Sequence, residues 1–201
     1  QPPAFACPAS MKLVLASTSA YRRSLLERLQ LPFELARPDI DEAALDGETP
    51  AATAARLAAA KAAAVAAAAG DALIIGSDQV ASLGSRIFGK PGSVAAAVAQ
   101  LQAMRANTVD FHTAVALLNT VSGRVQCETV LTRVRVRALS DDEIHRYLAR
   151  EDVLDCAGSA KSEGLGISLL DALSGDDPTA LVGLPLIALS RMLRAEGVQL
   201  P

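Results

Sequence analysis

The sequence predicts a mixed α/β fold, and three observations carry that prediction. Apolar runs of strand character, Leu13-Val14-Leu15 and Leu73-Ile74-Ile75, alternate along the chain with helical segments that begin at recognisable capping residues. Two long alternating stretches, 108–118 and 125–137, read as antiparallel strands joined by NTVSGR. No internal repeat and no Pro/Gly-rich linker divides the chain.

Residues 12–16 are apolar throughout and read as a buried strand. The segment 20–30 is a helix with Leu25, Leu26 and Leu29 on one face. FELARP is a second strand ended by Pro38, and the polar DIDE after it is a loop. Thr49-Pro50 has the cap and first-turn chemistry of a helix start, and the alanine-rich run that follows continues to Ala69, where Gly70 stops it. ALIIGSDQVASL is a strand that meets a polar break and resumes, and LGSR is a hairpin turn. Ser93 caps a helix running to about Met104. Ser140 and Glu143 form a capping box for the helix in SDDEIHRYLAR. The glycine-rich segment 156–177 reads as loops with short strands, and a last helix starts near Leu184-Pro185 and ends before Gly197.

At 201 residues the chain suits one α/β domain, or two lobes sharing a sheet. Aromatic residues are only 3%, so the core is aliphatic and its helices pack closely. A net charge of -3 supplies no basic field for nucleic acid, so any anion site is local. Cys7, Cys127 and Cys156 are odd in number and widely spaced, which argues against a disulfide framework or a zinc site and for a reducing, cytoplasmic setting. The run from Pro50 to Ala69 carries Arg56 and Lys61 and is too weakly apolar to span a membrane. Residues 1–10, QPPAFACPAS, lack the pattern of a secretion signal and are expected to be a disordered extension, with residues 11–201 forming the domain.

Three segments carry candidate chemistry. In ASTSAYRR the hydroxyls of Ser17, Thr18 and Ser19 precede a helix whose first N–H groups lack partners, and Arg22 and Arg23 add forked charge; this suits a phosphate, although Ser19 as a simple cap is the plainer alternative. In IIGSDQV, Asp78 closely follows an apolar run and is expected to emerge at a strand end, where a carboxylate can bind a metal or accept a proton. PDIDE gathers Asp39, Asp41 and Glu42 within four positions, so a solvated acidic loop competes with a cation or lysine placed between them. Arginine occurs fifteen times and lysine only four, which singles out Lys61, Lys90 and Lys161 as places needing a compact ammonium. His112 and His145 match no nucleophile, and neither a P-loop nor a dinucleotide fingerprint is present.

Taken in order, LASTSAYRRSLL, PDIDE, LAAAK, IIGSDQV, GKP, CAGSAKSEGLG and LVGLPL resemble the Maf family of nucleoside triphosphate pyrophosphatases, across nearly all of residues 12–198. The resemblance implies a mixed, twisted sheet flanked by helices, in two lobes with a central cleft. It also implies a divalent metal (Mg²⁺, Mn²⁺ or Co²⁺), a nucleotide substrate, and a homodimer. Carried over by position, Ser17, Arg22 and Arg23 match the phosphate-binding motif, Glu42 the acidic loop residue, and Lys61 and Lys90 the two lysines. Asp78 matches the proton acceptor. Whether it takes the proton, holds metal with Glu42, or does both stays open at this point.

Tyr21, Gln79 and Glu163 resemble the branch acting on 7-methyl-GTP, rather than the pyrimidine branch with Pro-Arg-Arg and Asp-Thr in the corresponding places. N7 methylation makes guanine cationic, so Tyr21 would gain roughly 0.5–2 kcal/mol by stacking on it. Glu163 would accept from the base edge, and Gln79 would contact base or ribose. The alternatives are the same hydrolysis on dTTP, UTP or other common triphosphates, or a non-catalytic nucleotide-binding regulator of division.

Overall fold

Helical crossovers separate the first three strands, so those strands pair in parallel, as a strand-helix-strand connection requires. The computed structural model describes residues 11–201, and the extension expected at 1–10 lies outside the described residues. In chain order the elements are β1 (Lys12–Ala16), α1 (Ala20–Glu27), β2 (Glu34–Ala36), α2 (Pro50–Ala64), α3 (Ala66–Ala69), β3 (Ala72–Leu83), β4 (Arg86–Phe88), α4 (Val94–Met104), β5 (Thr108–Asn119), β6 (Val125–Val136), α5 (Asp141–Leu148), β7 (Leu170–Ser174) and α6 (Leu186–Ala195). Among the described residues they form a seven-stranded sheet of order β2-β1-β3-β5-β6-β7, with β4 on β3. β1 runs parallel to both β2 and β3, whereas β3–β4 and β6–β7 are antiparallel, so the sheet is mixed.

The chain divides into two compact units. One holds the described residues up to Asp78, Thr113–Val130 and Asp177–Pro201; the other holds Gln79–His112 and Leu131–Asp176. In the first unit the period-2 alternation of strands assigns each side chain to a face. Leu13, Leu15, Leu73 and Ile75 join Leu25 and Leu26 of α1 and Leu189 and Leu193 of α6 in one core. Val14, Ala16, Ala72 and Ile74 join Ala62 of α2 and Val65 in another. Strands buried on both faces explain why these runs are apolar throughout. In the second unit Phe88, Leu101, Met104, Phe111, Ile144 and Tyr147 are buried.

Most local expectations hold. Ser19, Thr49 and Ser93 cap their helices, and Ser140 with Glu143 makes both bonds of the capping box. The β3–β4 hairpin closes at Leu83 and Arg86, with Gly84 at φ +59° as its turn demands. Three expectations need correction. The strand at 72–83 has no polar break, so Asp78 sits inside β3 rather than at its end. Its polar residues stay in the sheet because side chains satisfy them: Ser77 reaches the Ala114 carbonyl at 2.7 Å and Asp78 meets Lys61 at 2.7 Å. The alanine-rich helix is interrupted at Val65, whose side chain is buried beside Ile74. Part of 156–177 forms 3₁₀ turns, Ala157–Ser159 and Leu165–Leu169, before β7; Gly158 at φ +73° packs there against the Phe111 ring.

Gly76 governs how closely α2 lies on β3. A Cβ at this position would stand 2.0 Å from the Ala58 carbonyl oxygen and 2.9 Å from the Ala62 nitrogen. Both are backbone atoms that cannot step aside. Gly76→Ala is therefore expected to destabilise the protein by about 2–3 kcal/mol through overpacking, lowering the melting temperature by roughly 5–10 °C in a calorimetric scan.

Candidate active site

The same close approach delivers Lys61. Gly76 and Asp78 share the α2-facing side of β3, and Lys61 lies next to Ala62 on the buried face of α2. Its Nζ is 2.7 Å from Asp78 Oδ1 and 2.9 Å from Glu42 Oε1. Lys61 is only 5% exposed and Asp78 7%, whereas the Glu42 side chain is 56% exposed. A buried ammonium without partners costs several kcal/mol, so the two carboxylates are a condition of its burial. The acidic loop is thus no freely solvated segment: one of its carboxylates rests on the lysine.

That loop is tied to α2. The Arg56 guanidinium donates to the Ala43 carbonyl at 2.9 Å and to both oxygens of Glu48, at 2.7 and 2.9 Å. Glu48 also accepts from Thr53 Oγ1 and from the Leu45 N–H. Within α2, Arg56 fastens the loop and Lys61 meets the carboxylate that the loop carries.

Arg22 enters from the start of α1. Its Nε donates to the Gly183 carbonyl at 2.9 Å. Loss of hydration lowers its pKa from the ordinary guanidinium value, while the negative charges of Asp78 and Glu42 act in the opposite direction. Ser17 is buried, and its hydroxyl accepts from the Ser19 N–H at 3.1 Å, while Ser19 caps α1 through the Arg22 N–H. The first unit thus brings together Lys61, Asp78 and Glu42 by direct contact and Arg22 by charge. Arg23 turns to the exposed face of α1 and pairs with Glu27 at 3.1 Å. Tyr21 is partly buried.

In the second unit Gln79 is partly buried, while Lys90 and Glu163 are exposed. Lys90 follows Gly89, whose carbonyl accepts from Gln100 Nε2 at 3.0 Å. The glycine loop around Glu163 is drawn tight: a Cβ on Gly166 would meet the Lys161 carbonyl oxygen at 2.4 Å. Lys161 Nζ stands 3.8 Å from Glu151, and its N–H donates to the Tyr147 hydroxyl at 3.2 Å. Burial pushes the Tyr147 pKa up to about 12, so the phenol stays protonated at neutral pH.

Among the described residues no three His, Cys, Asp or Glu side chains cluster as a metal cage. Two carboxylates that converge on one cation are nevertheless a donor set of hard oxygens, suited to an Mg²⁺-like ion that takes one or two protein carboxylates and completes its shell with water and phosphate. Ser77, Gly183, Arg56 and Glu48 were not singled out from the sequence. Arg56 carried a signal, being the other charged residue of an alanine-rich helix, and Ser77 could be placed by strand alternation. Gly183 carried none, because its role lies in a carbonyl that every residue possesses.

Compared with known proteins, residues 12–196 match the family described as Maf-like protein. A protein of Aromatoleum aromaticum named 7-methyl-GTP pyrophosphatase is 72% identical over 190 residues, covering 94% of this chain and 98% of its own length. A protein of Burkholderia pseudomallei with the same name is 60% identical, over 94% of this chain and 89% of its own. One from Albidiferax ferrireducens, also so named, is 55% identical over 96% of both.

The loop's tether predicts a pH dependence. The Glu48 carboxyl is held down to about 2 from an ordinary 4.5, chiefly by its hydrogen bond to Arg56. A folded-state value below the unfolded one contributes stability above the unfolded value, and that contribution is lost as pH falls from about 4.5 toward 2. Glu48→Gln is expected to melt below the wild type at pH 6, with the gap closing across that window in a series of thermal melts.

Proposed function

This chain belongs to the Maf family, and from that premise we propose that it hydrolyses 7-methyl-GTP to 7-methyl-GMP and pyrophosphate. The observation that carries this reading is the buried Lys61 ammonium between Asp78 and Glu42, with Arg22 beside them. A protein that only bound a polyphosphate would gain from the cations and lose from the two carboxylates, since like charges repel the ligand. Hydrolysis needs both. The names of relatives at 55–72% identity support the same substrate.

The roles follow from charge and reach. Arg22, with Ser17 and the start of α1, binds phosphate oxygens, and Lys90 adds positive charge along the triphosphate, whereas Arg23 is engaged by Glu27 on the other side of α1. Asp78 orients a water and accepts its proton on a carboxylate oxygen as the water oxygen bonds to the α-phosphorus. The bond from that phosphorus to the α–β bridging oxygen then breaks, and pyrophosphate leaves. Lys61 holds the Asp78 carboxylate in place through its 2.7 Å hydrogen bond, which keeps the acceptor oriented. Glu42 and Asp78 are the residues that would hold a divalent cation, Mg²⁺, Mn²⁺ or Co²⁺. Such an ion supplies charge neutralisation on the leaving group.

Tyr21, Gln79 and Glu163 are assigned to the base. An aromatic face and a carboxylate both favour a cationic, N7-methylated guanine over a neutral one. Residues 11–201 act as one catalytic domain, as a homodimer, in the cytoplasm. Among the described residues no helix is long and apolar enough to cross a membrane.

Two measurements test the proposal. In a pyrophosphate-release assay with added divalent cation, 7-methyl-GTP is expected to be turned over in preference to GTP, UTP and dTTP. A wide preference for UTP or dTTP overturns the substrate assignment. Asp78→Asn is expected to lower kcat by a factor of about 10²–10⁴ while circular dichroism stays that of the wild type, and full activity in this variant removes Asp78 from its role.

A further inference from the structure

Asp177 is 4% exposed, carries a carboxylate, and has no part in the chemistry above. Its surroundings show what it does. Oδ1 accepts from the Thr179 N–H at 2.9 Å and the Thr179 hydroxyl at 2.7 Å, and Oδ2 accepts from the Ile187 N–H at 2.8 Å. The Thr179 hydroxyl also lies 2.8 Å from the Leu184 carbonyl and accepts from the Leu186 N–H at 2.8 Å. Two side chains from the preceding loop therefore satisfy the first N–H groups of α6, which Pro185 at the cap position cannot do with a side chain of its own. In the same stroke they clamp the loop 183–187 at both ends.

Gly183 lies at the head of that loop. Its carbonyl accepts from Arg22 Nε at 2.9 Å, and the Ser77 hydroxyl, whose single proton is shared between two carbonyls, lies 3.0 Å from it and 2.7 Å from that of Ala114 of β5. Gly183 itself adopts φ +127°, and a Cβ there would touch the Arg22 side chain at 3.6 Å. The carbonyl is thus fixed from three directions: by the Asp177–Thr179 turn through the loop, by Ser77 from the sheet, and by Leu184, which is fully buried in the core. A guanidinium is a rigid planar fork, so anchoring its Nε–H restrains the directions in which the other four N–H groups can point.

The geometry points to Ser77, Asp177 and Thr179 as positioning residues for Arg22, acting through the Gly183 carbonyl to aim its fork at the substrate phosphate. This deepens the proposed function and rests on Arg22 binding phosphate. None of the three touches the substrate.

The test is a double-mutant cycle in the pyrophosphate-release assay, using Thr179→Val, Ser77→Ala and Arg22→Lys, the last of which lacks the Nε donor. Thr179→Val and Ser77→Ala are each expected to lower kcat/KM about tenfold, as small misplacements of a positioned group do. In the Arg22→Lys background the same changes cost less than about twofold. Thr179→Ser, which keeps the hydroxyl, recovers most of the loss and guards against a Thr179→Val that fails to fold. Equal losses in both backgrounds, or no loss in either single variant, overturn the proposal. If wild-type protein releases no pyrophosphate from 7-methyl-GTP, the substrate assignment fails instead, and the cycle is run on whichever triphosphate is hydrolysed.

Discussion

The approach of α2 to β3 at Gly76 is the constraint on which the rest of the first unit depends. With Ala58 and Ala62 on the helix and no side chain on the strand, backbone meets backbone, and the helix lies closer to the sheet than any larger residue would permit. At that separation the lysine on the helix face meets, at 2.7 Å, a carboxylate that points up from the strand. Ala58 and Ala62, which on their own suggest little beyond helix propensity, thus serve the close packing of α2 on β3 beside the ion pair.

Strand alternation then divides the chemistry between two faces. Asp78 points to α2, toward Lys61 and the acidic loop; Ser77, one residue earlier, points to the opposite face and meets the loop that leads into α6. Neighbours in sequence thus address different partners, one electrostatic and one positional. Arg22 belongs to both, since its Nε rests on Gly183 while the charges of Asp78 and Glu42 act on it.

The two cations of α2 illustrate why lysine and arginine are not exchanged in this chain. Arg56 uses its planar fork to grip both oxygens of Glu48 and a backbone carbonyl together, a task for a rigid multidentate donor. Lys61 must fit against small residues and present one charge to two carboxylates arriving from different directions, a task for a compact ammonium. In an arginine-rich sequence the lysine marks the tighter place.

Much of this was legible in the letters. Caps at Ser19, Thr49, Ser93 and Ser140 are local hydrogen bonds within three residues, so the local sequence marks where those helices begin. Motif resemblance singled out Lys61, Asp78, Glu42 and Arg22, and the fold brings these four together. The same motif included Arg23, which the structure turns toward Glu27, because the next helical position faces about 100° away. The apolar run before Asp78 predicts a strand end for it; it stays in mid-strand because its partner, Lys61, arrives from another element 17 residues away in sequence. The positions of Gly183 and of the Asp177–Thr179 turn were decided by tertiary structure alone. A carbonyl is common to every residue, and which donors it meets depends on how distant segments pack, a property that no local run of sequence carries.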